Sequence, residues 1–486
     1  MKLTSIKTLG ELKAQNYVPK SIKEELKSNL IQSYKDGVEV FRPIMGYENT
    51  VIPQVENAIL AKHNINFLGL RGQAKTKIAR LLIGLLDSHI PVVKGSEIND
   101  DPFAPISPFA KKLVAEKGDD TPIEWLAAED RYYEKLATPD VSVADLIGDV
   151  DPIKAANLKL SYADEGVIHF GMIPRANRCL FVINEIPDLQ ARIQVSLFNI
   201  LQEGDIQIRG FKLKLPLDIS FIFTANPEDY TNRGSIVTPL KDRIGSQILT
   251  HYPRSIEIAK QITTQEAKID PAIEEQIYIP EIARDLIEEI SFCARESEYV
   301  DANSGVSARL SISAFESLVA SIQRRMLYNE EQQTTVRLSD FSNIIQAITG
   351  KVELVYEGEQ LGADEVAMSL IDQAIKNTFE SLFPKIEKLE KKEENSPYDE
   401  LFTWFFEHDA VDFSTDADNE IYKETLDKIT PLNQILVEHL NSSEKDSYFY
   451  KELIIWGLVV SKKLSRTDLE TGQRINDLYG GYLNGL

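Results

Sequence analysis

The sequence is poor in cysteine and in positive charge, and both shortages restrict what the protein can be. Among 486 residues there are 2 cysteines, Cys179 and Cys293, so neither a disulfide framework nor a thiolate cluster for zinc is available. Lys and Arg number 53 against 76 Asp and Glu, which gives a net charge of −23. So acidic a chain is not organised by general attraction to nucleic acid phosphates or to anionic lipid.

Long apolar runs and histidine motifs for metals are also absent from the sequence. The N-terminal stretch "MKLTSIKTLGELKAQNYVPKSIKEEL" mixes Lys and Glu too early for a signal peptide, and no run approaches the roughly 18 apolar residues of a membrane span. The 6 His residues form no H-E-x-x-H motif. We therefore expect a multidomain cytoplasmic protein without a membrane partner, and its 43% hydrophobic content suffices for several cores.

Between residues 41 and 254, short apolar runs alternate with helical periodicities. Four runs have the composition of buried strands, namely "NINFLGL", "RCLFVINE", "LDISFIFTANP" and "GSQILTHYP". Such alternation predicts an α/β fold, with a parallel sheet flanked by helices. Within this segment "DIQIRGFKLKLPLD" alternates at period two around Arg209 and Gly210 and predicts a β-hairpin.

The segments on either side of this core have a different character. Residues 1–40 are Lys-rich and weakly helical, whereas residues 255–360 and 399–486 show helical periodicity. Residues 361–398 combine a helix with "KIEKLEKKEENSP", a charged stretch typical of a linker. We expect Trp404, Phe405 and Phe406 in the core of the last helical domain. The chain is thus predicted to have five parts.

The strand-like "NFLGL" runs into "RGQAKTK", which is similar to a phosphate-binding loop of the form G-x-x-x-x-G-K-[ST]. Gly69 and Lys75 keep the spacing, Gly72 lies within the loop, and Ala74 stands where the second glycine belongs. Thr76 supplies the hydroxyl that such loops direct to Mg²⁺. Backbone N–H groups and the helix N-terminus then face the phosphates. An ordinary strand-to-helix turn is the alternative for this stretch taken alone.

Polar residues at the ends of the next two apolar runs suit the chemistry expected beside such a loop. Asn184 and Glu185 end "CLFVINE", and Asn226 ends "FIFTAN". Glu185 suits a general base for water, and Asn184 can contact a metal-bound water without adding charge. Asn226 can orient the attacking water, although an Asn in a turn before a proline explains it equally well.

Two arginines further along the chain suit a γ-phosphate. Arg243 ends a short helical stretch in "TPLKDRIGSQILTHY", where a surface ion pair with Asp242 is the alternative. Arg309 begins a helix in "SGVSARLSISAF". The helix dipole disfavours a cation there, so a bound phosphate would be a physical reason for it, although an exposed Arg would cost little.

In this order the elements resemble an AAA+ ATPase over about residues 40–355, and more narrowly the MoxR and magnesium-chelatase I-subunit branch. The resemblance implies a P-loop AAA+ core with a pre-sensor hairpin, an all-helical lid and a C-terminal helical domain. It assigns "GLRGQAKT" as Walker A, "LFVINE" as Walker B, Ile44 to Gly46 as the adenine-side motif, Asn226 as sensor 1, Arg243 as arginine finger and Arg309 as sensor 2.

The same resemblance implies a function. Subunits would form a ring, expected to be a hexamer, that binds ATP and Mg²⁺ and remodels a protein client, with a von Willebrand-type domain as one candidate client feature. MoxR-type loops tolerate Ala74, whereas Asn184 stands where the Walker B pattern has Asp. Two alternatives stay open: a nucleotide-gated scaffold in which Asn184 weakens hydrolysis, and the motor subunit of a magnesium chelatase. A helicase or a transcription activator fits less well, because the chain is acidic and lacks a zinc module, a basic helix-turn-helix and the GAFTGA loop.

Overall fold

The computed structural model describes residues 3–159, 161, 167–208, 214–227, 236–386, 396–408, 410–440, 442–469 and 472–478. Internal contacts divide the chain into two compact units, residues 1–251 and 252–486. Among the described helices, none is long and apolar enough to cross a membrane.

The first unit is built on a parallel sheet of five strands. In chain order these are β1 (Ile65–Leu68), β2 (Tyr132–Leu136), β3 (Cys179–Asn184), β4 (Ile219–Ala225) and β5 (Ser246–Leu249). Their order in the sheet is β5-β1-β4-β3-β2, so the carboxyl ends of β1, β4 and β3 lie side by side at one edge. The predicted α/β fold is confirmed, and β2 is an additional strand whose sequence "YYEKL" lacks an apolar run.

Alternate side chains of β3 enter two different cores, one on each face of the sheet. Leu180 and Val182 belong to one buried cluster, whereas Phe181 and Ile183 belong to the other. Strands buried on both faces have this continuous apolar composition, which is why β3 could be recognised from sequence.

Helices cover the sheet, and three shorter antiparallel pairs accompany it. The pairs are His89–Val93 with Ile123–Ala127, Gly148–Val150 with Ile168–Phe170, and Asp205–Gln207 with Lys214–Pro216. The last pair is the predicted hairpin, although Arg209 and Gly210 lie outside the described residues. The described α-helices of this unit are Leu9–Ala14, Ile22–Asp36, Val51–Leu60, Lys75–Leu81, Pro108–Lys117, Val143–Leu146, Pro152–Leu158, Met172–Arg175, Ala191–Ser196, Phe198–Glu203 and Thr238–Arg243.

The second unit is mainly helical, as predicted, but it also contains short strands that the sequence did not indicate. Ile277–Tyr278 pairs with Thr334–Thr335, and Val411–Ser414, Gly472–Asn476 and Ser465–Leu469 form an antiparallel sheet in that order. These strands are short, and "SRTDL" and "GQRIN" carry too few apolar residues to mark a strand. The described α-helices of this unit are Ile256–Glu266, Pro271–Glu274, Glu281–Glu296, Arg309–Tyr328, Ile345–Thr349, Tyr356–Leu361, Ala363–Leu382, Asp399–Glu407, Asn419–Asp427, Pro431–His439 and Glu444–Val460.

One hydrophobic core runs through the second unit. Buried apolar residues from Ile277 to Ile475 form a single cluster, so the helices assigned to a lid and to a C-terminal domain share it. Phe405 is buried in this core and Trp404 packs against it, but Phe406 is 73% exposed. The prediction for Phe406 was therefore wrong, because consecutive residues of a helix point in different directions. The domain boundaries stay a prediction.

Candidate active site

The loop between β1 and the helix Lys75–Leu81 surrounds the amino group of Lys75. Its Nζ atom donates to the carbonyl oxygens of Gly69 and Leu70, the latter at 2.8 Å, and to Asn226 Oδ1 at 2.8 Å. An ammonium has three hydrogens, and each has an acceptor here. The charge is thereby held where β1 and β4 end, which is the edge at which open α/β sheets bind ligands.

The backbone of this loop explains both its glycines and its departure from the usual pattern. A Cβ atom on Gly69 would overlap Thr250 Oγ1 and Gln73 Oε1, which are hydrogen-bonded to each other at 2.7 Å. Gly72 has φ 72° and Ala74 has φ 56°, both in the left-handed region. Alanine adopts this region at a cost of roughly 1–2 kcal/mol. Ala74 therefore keeps the conformation that a glycine would take without strain.

The segment predicted to lie on the adenine side is connected to the loop through Tyr47. The Tyr47 hydroxyl lies 3.1 Å from the carbonyl oxygen of Gln73 and 2.6 Å from the carbonyl oxygen of His251. The rings of Tyr47 and His251 pack edge to face. Within this segment Ile44 is buried, and Gly46 has φ 78°. The structure thus brings the predicted segment to the loop, while contacts of Ile44 and Gly46 with a base stay a prediction.

Thr76 and Asn184, the residues predicted to face a metal, lie next to each other. Asn184 Oδ1 accepts hydrogen bonds from Thr76 Oγ1 at 3.4 Å and from Thr224 Oγ1 at 3.1 Å. Asn184 Nδ2 donates to Glu134 Oε1 at 2.7 Å. Glu134 comes from β2 and brings a carboxylate that was not part of the predicted site.

Glu134 forms an ion pair with Arg80. Arg80 lies on the helix that follows the loop, and its Nε and Nη2 atoms are 3.1 Å and 2.9 Å from Glu134 Oε2. This hydrogen bond raises the pKa of Arg80, and burial together with the neighbouring carboxylate raises the pKa of Tyr132. The side chain of Glu134 is 23% exposed, so it remains within reach of water.

Glu185 leaves the sheet directly after β3. Its φ is 55°, and its backbone N–H donates to Thr224 Oγ1 at 3.1 Å. β3 and β4 pair in register with Ile183 opposite Phe223, so Glu185 and Asn226 leave the sheet at neighbouring positions. A left-handed backbone at a residue other than glycine is strained, and such strain recurs at functional sites.

The two predicted arginines have different surroundings. Arg243 ends the helix Thr238–Arg243, and its Nε and Nη2 atoms donate to Gln202 Oε1 at 3.0 Å and 2.7 Å. Its guanidinium also lies 5.1 Å from the centre of the Phe198 ring. Arg309 is exposed at the start of the helix Arg309–Tyr328 in the second unit. The roles of both arginines toward a nucleotide stay predictions.

Three residues of this site, and one exposed residue beside it, were missed by the sequence reasoning: Glu134, Thr224 and Tyr47, with Arg80 as the exposed neighbour. Glu134 lies in a polar strand that carries no apolar run, and Thr224 lies within the strand-like "FIFTAN" without a motif of its own. Arg80 follows Thr76 by four residues, a helical spacing that could have marked it as a neighbour. Tyr47 directly follows the predicted adenine-side motif.

The side chains gathered at this edge of the sheet offer oxygen atoms but no all-protein metal cage among the described residues. Among the described residues, no group of three or more His, Cys, Asp or Glu side chains could hold a metal ion. Mg²⁺ bound together with a nucleotide takes one or two protein oxygen ligands, phosphate oxygens and waters. Thr76, Asn184 and Glu134 meet that need beside a lysine suited to phosphates, so the residues present fit ATP with Mg²⁺.

Residues 159–245 match the family model described as the Sigma-54 interaction domain. This stretch contains β3 and β4 but not the loop around Lys75. Together with the parallel sheet and its flanking helices, the match supports an AAA+ ATPase.

Three of the solved structures that match this chain share little sequence with it. The complex of subunits BchI and BchD of magnesium chelatase is 17% identical, with 66% of this chain and 99% of that chain covered and a TM-score of 0.34. A RuvB variant of Thermotoga maritima is 12% identical over 96% and 99%, with a TM-score of 0.33. Hsp104 is 14% identical over 64% and 50%, with a TM-score of 0.38.

Proposed function

We propose that the protein is a ring-forming AAA+ ATPase of the MoxR and chelatase type, which binds ATP with Mg²⁺ and uses its hydrolysis to remodel a partner protein. One observation carries the proposal. Lys75 is held between the loop and Asn226, and Thr76 contacts Asn184, so a lysine, a hydroxyl and two strand-end amides converge at one edge of the sheet. A strand-to-helix turn without a ligand gives no reason for that convergence.

The residues of the chain divide the work of hydrolysis between them. Lys75 and the loop N–H groups would bind phosphates, and Thr76 would hold Mg²⁺ with the Asn184 amide beside it toward a metal-bound water. A bound Mg²⁺ would supply positive charge for the phosphoryl oxygens. Glu185 takes the proton of the attacking water, and Asn226 orients that water. Lys75 donates to Asn226 Oδ1 at 2.8 Å in this structure, so the lysine and this amide lie next to each other in the proposed site.

The remaining contacts complete the nucleotide site. Ile44 and Gly46 face the base, and Gly69, Gly72 and Ala74 shape the loop around the phosphates. Arg309 keeps the sensor 2 role that the resemblance implies, since a guanidinium suits phosphate oxygens. These assignments follow the resembling family position by position.

Hydrolysis in a ring requires a group from the neighbouring subunit, and Arg243 is that group in this proposal. A guanidinium supplied in trans stabilises charge on the transferring phosphoryl group and is worth about 10³–10⁵ in rate in known cases. Arg243 lies at the end of a short helix, is partly exposed and donates to Gln202. This position supports a role toward the nucleotide of a neighbouring subunit. The ring is taken to be a hexamer.

The test is an ATPase assay on the full chain with three variants. Lys75→Ala and Glu185→Gln should each remove most hydrolysis, and Glu185→Gln should still bind ATP. Arg243→Ala should bind ATP and lose hydrolysis, and mixing it with Lys75→Ala should restore part of it at mixed interfaces. Parental rates in Glu185→Gln would refute hydrolysis at this site. A parental rate in Arg243→Ala would refute the inter-subunit step alone.

The client follows from the resemblance rather than from the site. We propose a cytoplasmic protein client, with a von Willebrand-type domain as the feature to look for, and no nucleic acid. The motor subunit of a magnesium chelatase and a nucleotide-gated scaffold are the alternatives. Proteins captured by the ATP-bound Glu185→Gln variant would distinguish a client from a porphyrin- or metal-binding partner subunit, and a steady-state rate near zero in the parent would favour the scaffold.

A sigma-54 factor is a second candidate partner, and the family match over residues 159–245 favours it. The sequence argues against it, since it contains no GAFTGA loop. Binding of purified sigma-54 to the ATP-loaded Glu185→Gln protein decides this candidate, and no binding would remove it.

A further inference from the structure

Glu134 lies on β2, outside every motif of the proposed ATPase, yet its carboxylate reaches the metal side of the candidate site. In the sheet, Asn184 is opposite Leu136, and Glu134 Oε1 accepts a hydrogen bond from Asn184 Nδ2 at 2.7 Å. Asn184 Oδ1 accepts one from Thr76 Oγ1 at 3.4 Å. A single amide therefore separates the carboxylate from the hydroxyl that is proposed to hold Mg²⁺.

This pairing gives a reason for the amide at position 184. A carboxylate only accepts hydrogen bonds, so the atom that faces Glu134 Oε1 must be a donor, and Asn184 Nδ2 is one. An Asp at this position would set a second carboxylate against Glu134. Two carboxylates that share a site do not both stay charged. The amide at position 184 therefore suits a carboxylate partner, and Glu134 is the carboxylate that contacts it.

We propose that Glu134 supplies the Mg²⁺ shell with the negative charge that an Asp at position 184 would bring, and that Asn184 is a positioning residue between Glu134 and Thr76. The inference rests on the proposed function, because it needs Mg²⁺ with nucleotide at the loop. Mg²⁺ keeps several waters in proteins, so a carboxylate can act on it through a metal-bound water. Partners of this kind are typically worth about 10–100-fold in metal affinity.

Arg80 contacts the other oxygen of this carboxylate and provides the control. Its Nη2 atom lies 2.9 Å from Glu134 Oε2, whereas Asn184 donates to Oε1. The Arg80 side chain is 62% exposed, and exposed ion pairs contribute little to stability. Removing Arg80 therefore breaks the ion pair while the charge of Glu134 remains.

The test measures the Mg²⁺ concentration that gives half-maximal binding of a fluorescent ATP analogue to the full chain. Glu134→Gln should raise that concentration about 10-fold or more. Arg80→Gln should change it by less than about 3-fold, since the carboxylate is still present. The double variant Glu134→Gln with Asn184→Asp exchanges the carboxylate and the amide between the two positions. Its Mg²⁺ concentration for half-maximal binding should return to within about 3-fold of the parent value.

Three results would overturn the proposal. One is an unchanged Mg²⁺ requirement in Glu134→Gln, and another is an equal rise in Arg80→Gln, which would mean that only the ion pair matters. The third is a double variant that stays as impaired as Glu134→Gln although its circular dichroism is parental. Binding measured with Lys75→Ala separates this inference from the proposed function. Nucleotide binding that needs Lys75 but ignores Glu134 leaves the proposed function standing, whereas binding independent of Lys75 overturns both.

Discussion

Replacing Gly69 by alanine should destabilise the loop around Lys75, because no space exists for the Cβ atom of the alanine. That atom would overlap Thr250 Oγ1 and Gln73 Oε1, so the hydrogen bond between them, 2.7 Å long, must open. Loss of this hydrogen bond destabilises the loop by about 0.5–1.5 kcal/mol. The added methyl group destabilises it by about 1–3 kcal/mol more through overpacking. We expect a local destabilisation of about 2–4 kcal/mol.

Hydrogen exchange followed by mass spectrometry measures this loss where it arises, on peptides that cover β1. A loss of that size corresponds to exchange about 30- to 700-fold faster. Thr250→Ala removes one of the two obstructing oxygens, so on that background Gly69→Ala should cost at least about 1 kcal/mol less. Exchange at the parental rate in Gly69→Ala, or identical costs on the two backgrounds, would refute the steric reasoning.

Three further predictions concern Ala74 in the same loop, Glu288 in the second unit and the two cysteines. Ala74→Gly removes the strain of an alanine in the left-handed region, but glycine adds an entropy cost of about 0.4–1 kcal/mol. A net stabilisation of up to about 1 kcal/mol should remain, and thermal unfolding would measure it. A lower melting temperature in the variant would contradict this expectation. Burial raises the pKa of Glu288, which accepts a hydrogen bond from Thr263 at 2.5 Å, so the stability that its proton provides is lost as pH rises through the raised pKa. Above neutral pH, the Glu288→Gln variant should therefore have a higher free energy of unfolding than the parent. Below the ordinary carboxyl pKa the two free energies should be equal. Urea titrations at one pH in each range would measure both differences. Burial raises the pKa of the Cys179 and Cys293 thiols to about 12, so iodoacetamide should modify them only after unfolding, and rapid labelling of the native protein would contradict this.

The sequence predicted the parts of the site that local pattern controls. β3 and β4 are buried on both faces, so their composition marked them as strands and placed Asn184, Glu185 and Asn226 at their ends. The glycine spacing marked the loop. Its conformation at Ala74 could not be read from residue type, because alanine seldom adopts a positive φ.

The neighbours across the sheet were beyond the reach of local pattern. Glu134 meets Asn184 only because β2 pairs with β3, 50 residues further along the chain. β2 is half-polar and carries no apolar run, so neither its existence nor its register was visible. Tyr47 approaches His251 for the same kind of reason, since 204 residues separate them. Contacts of this sort arise from strand order, which single residues do not encode.

The loop around Lys75 is proposed to bind ATP, and calorimetry of ATP with Mg²⁺ on the parent and on Lys75→Ala measures that binding. Losing a charge-assisted contact to the outer phosphates, worth about 1.5–3 kcal/mol, should weaken binding about 10- to 100-fold. Lys77→Ala, a change of the same kind two residues further along the same helix, is the matched control and should bind as the parent does. Equal ATP affinity in Lys75→Ala and the parent would contradict the account.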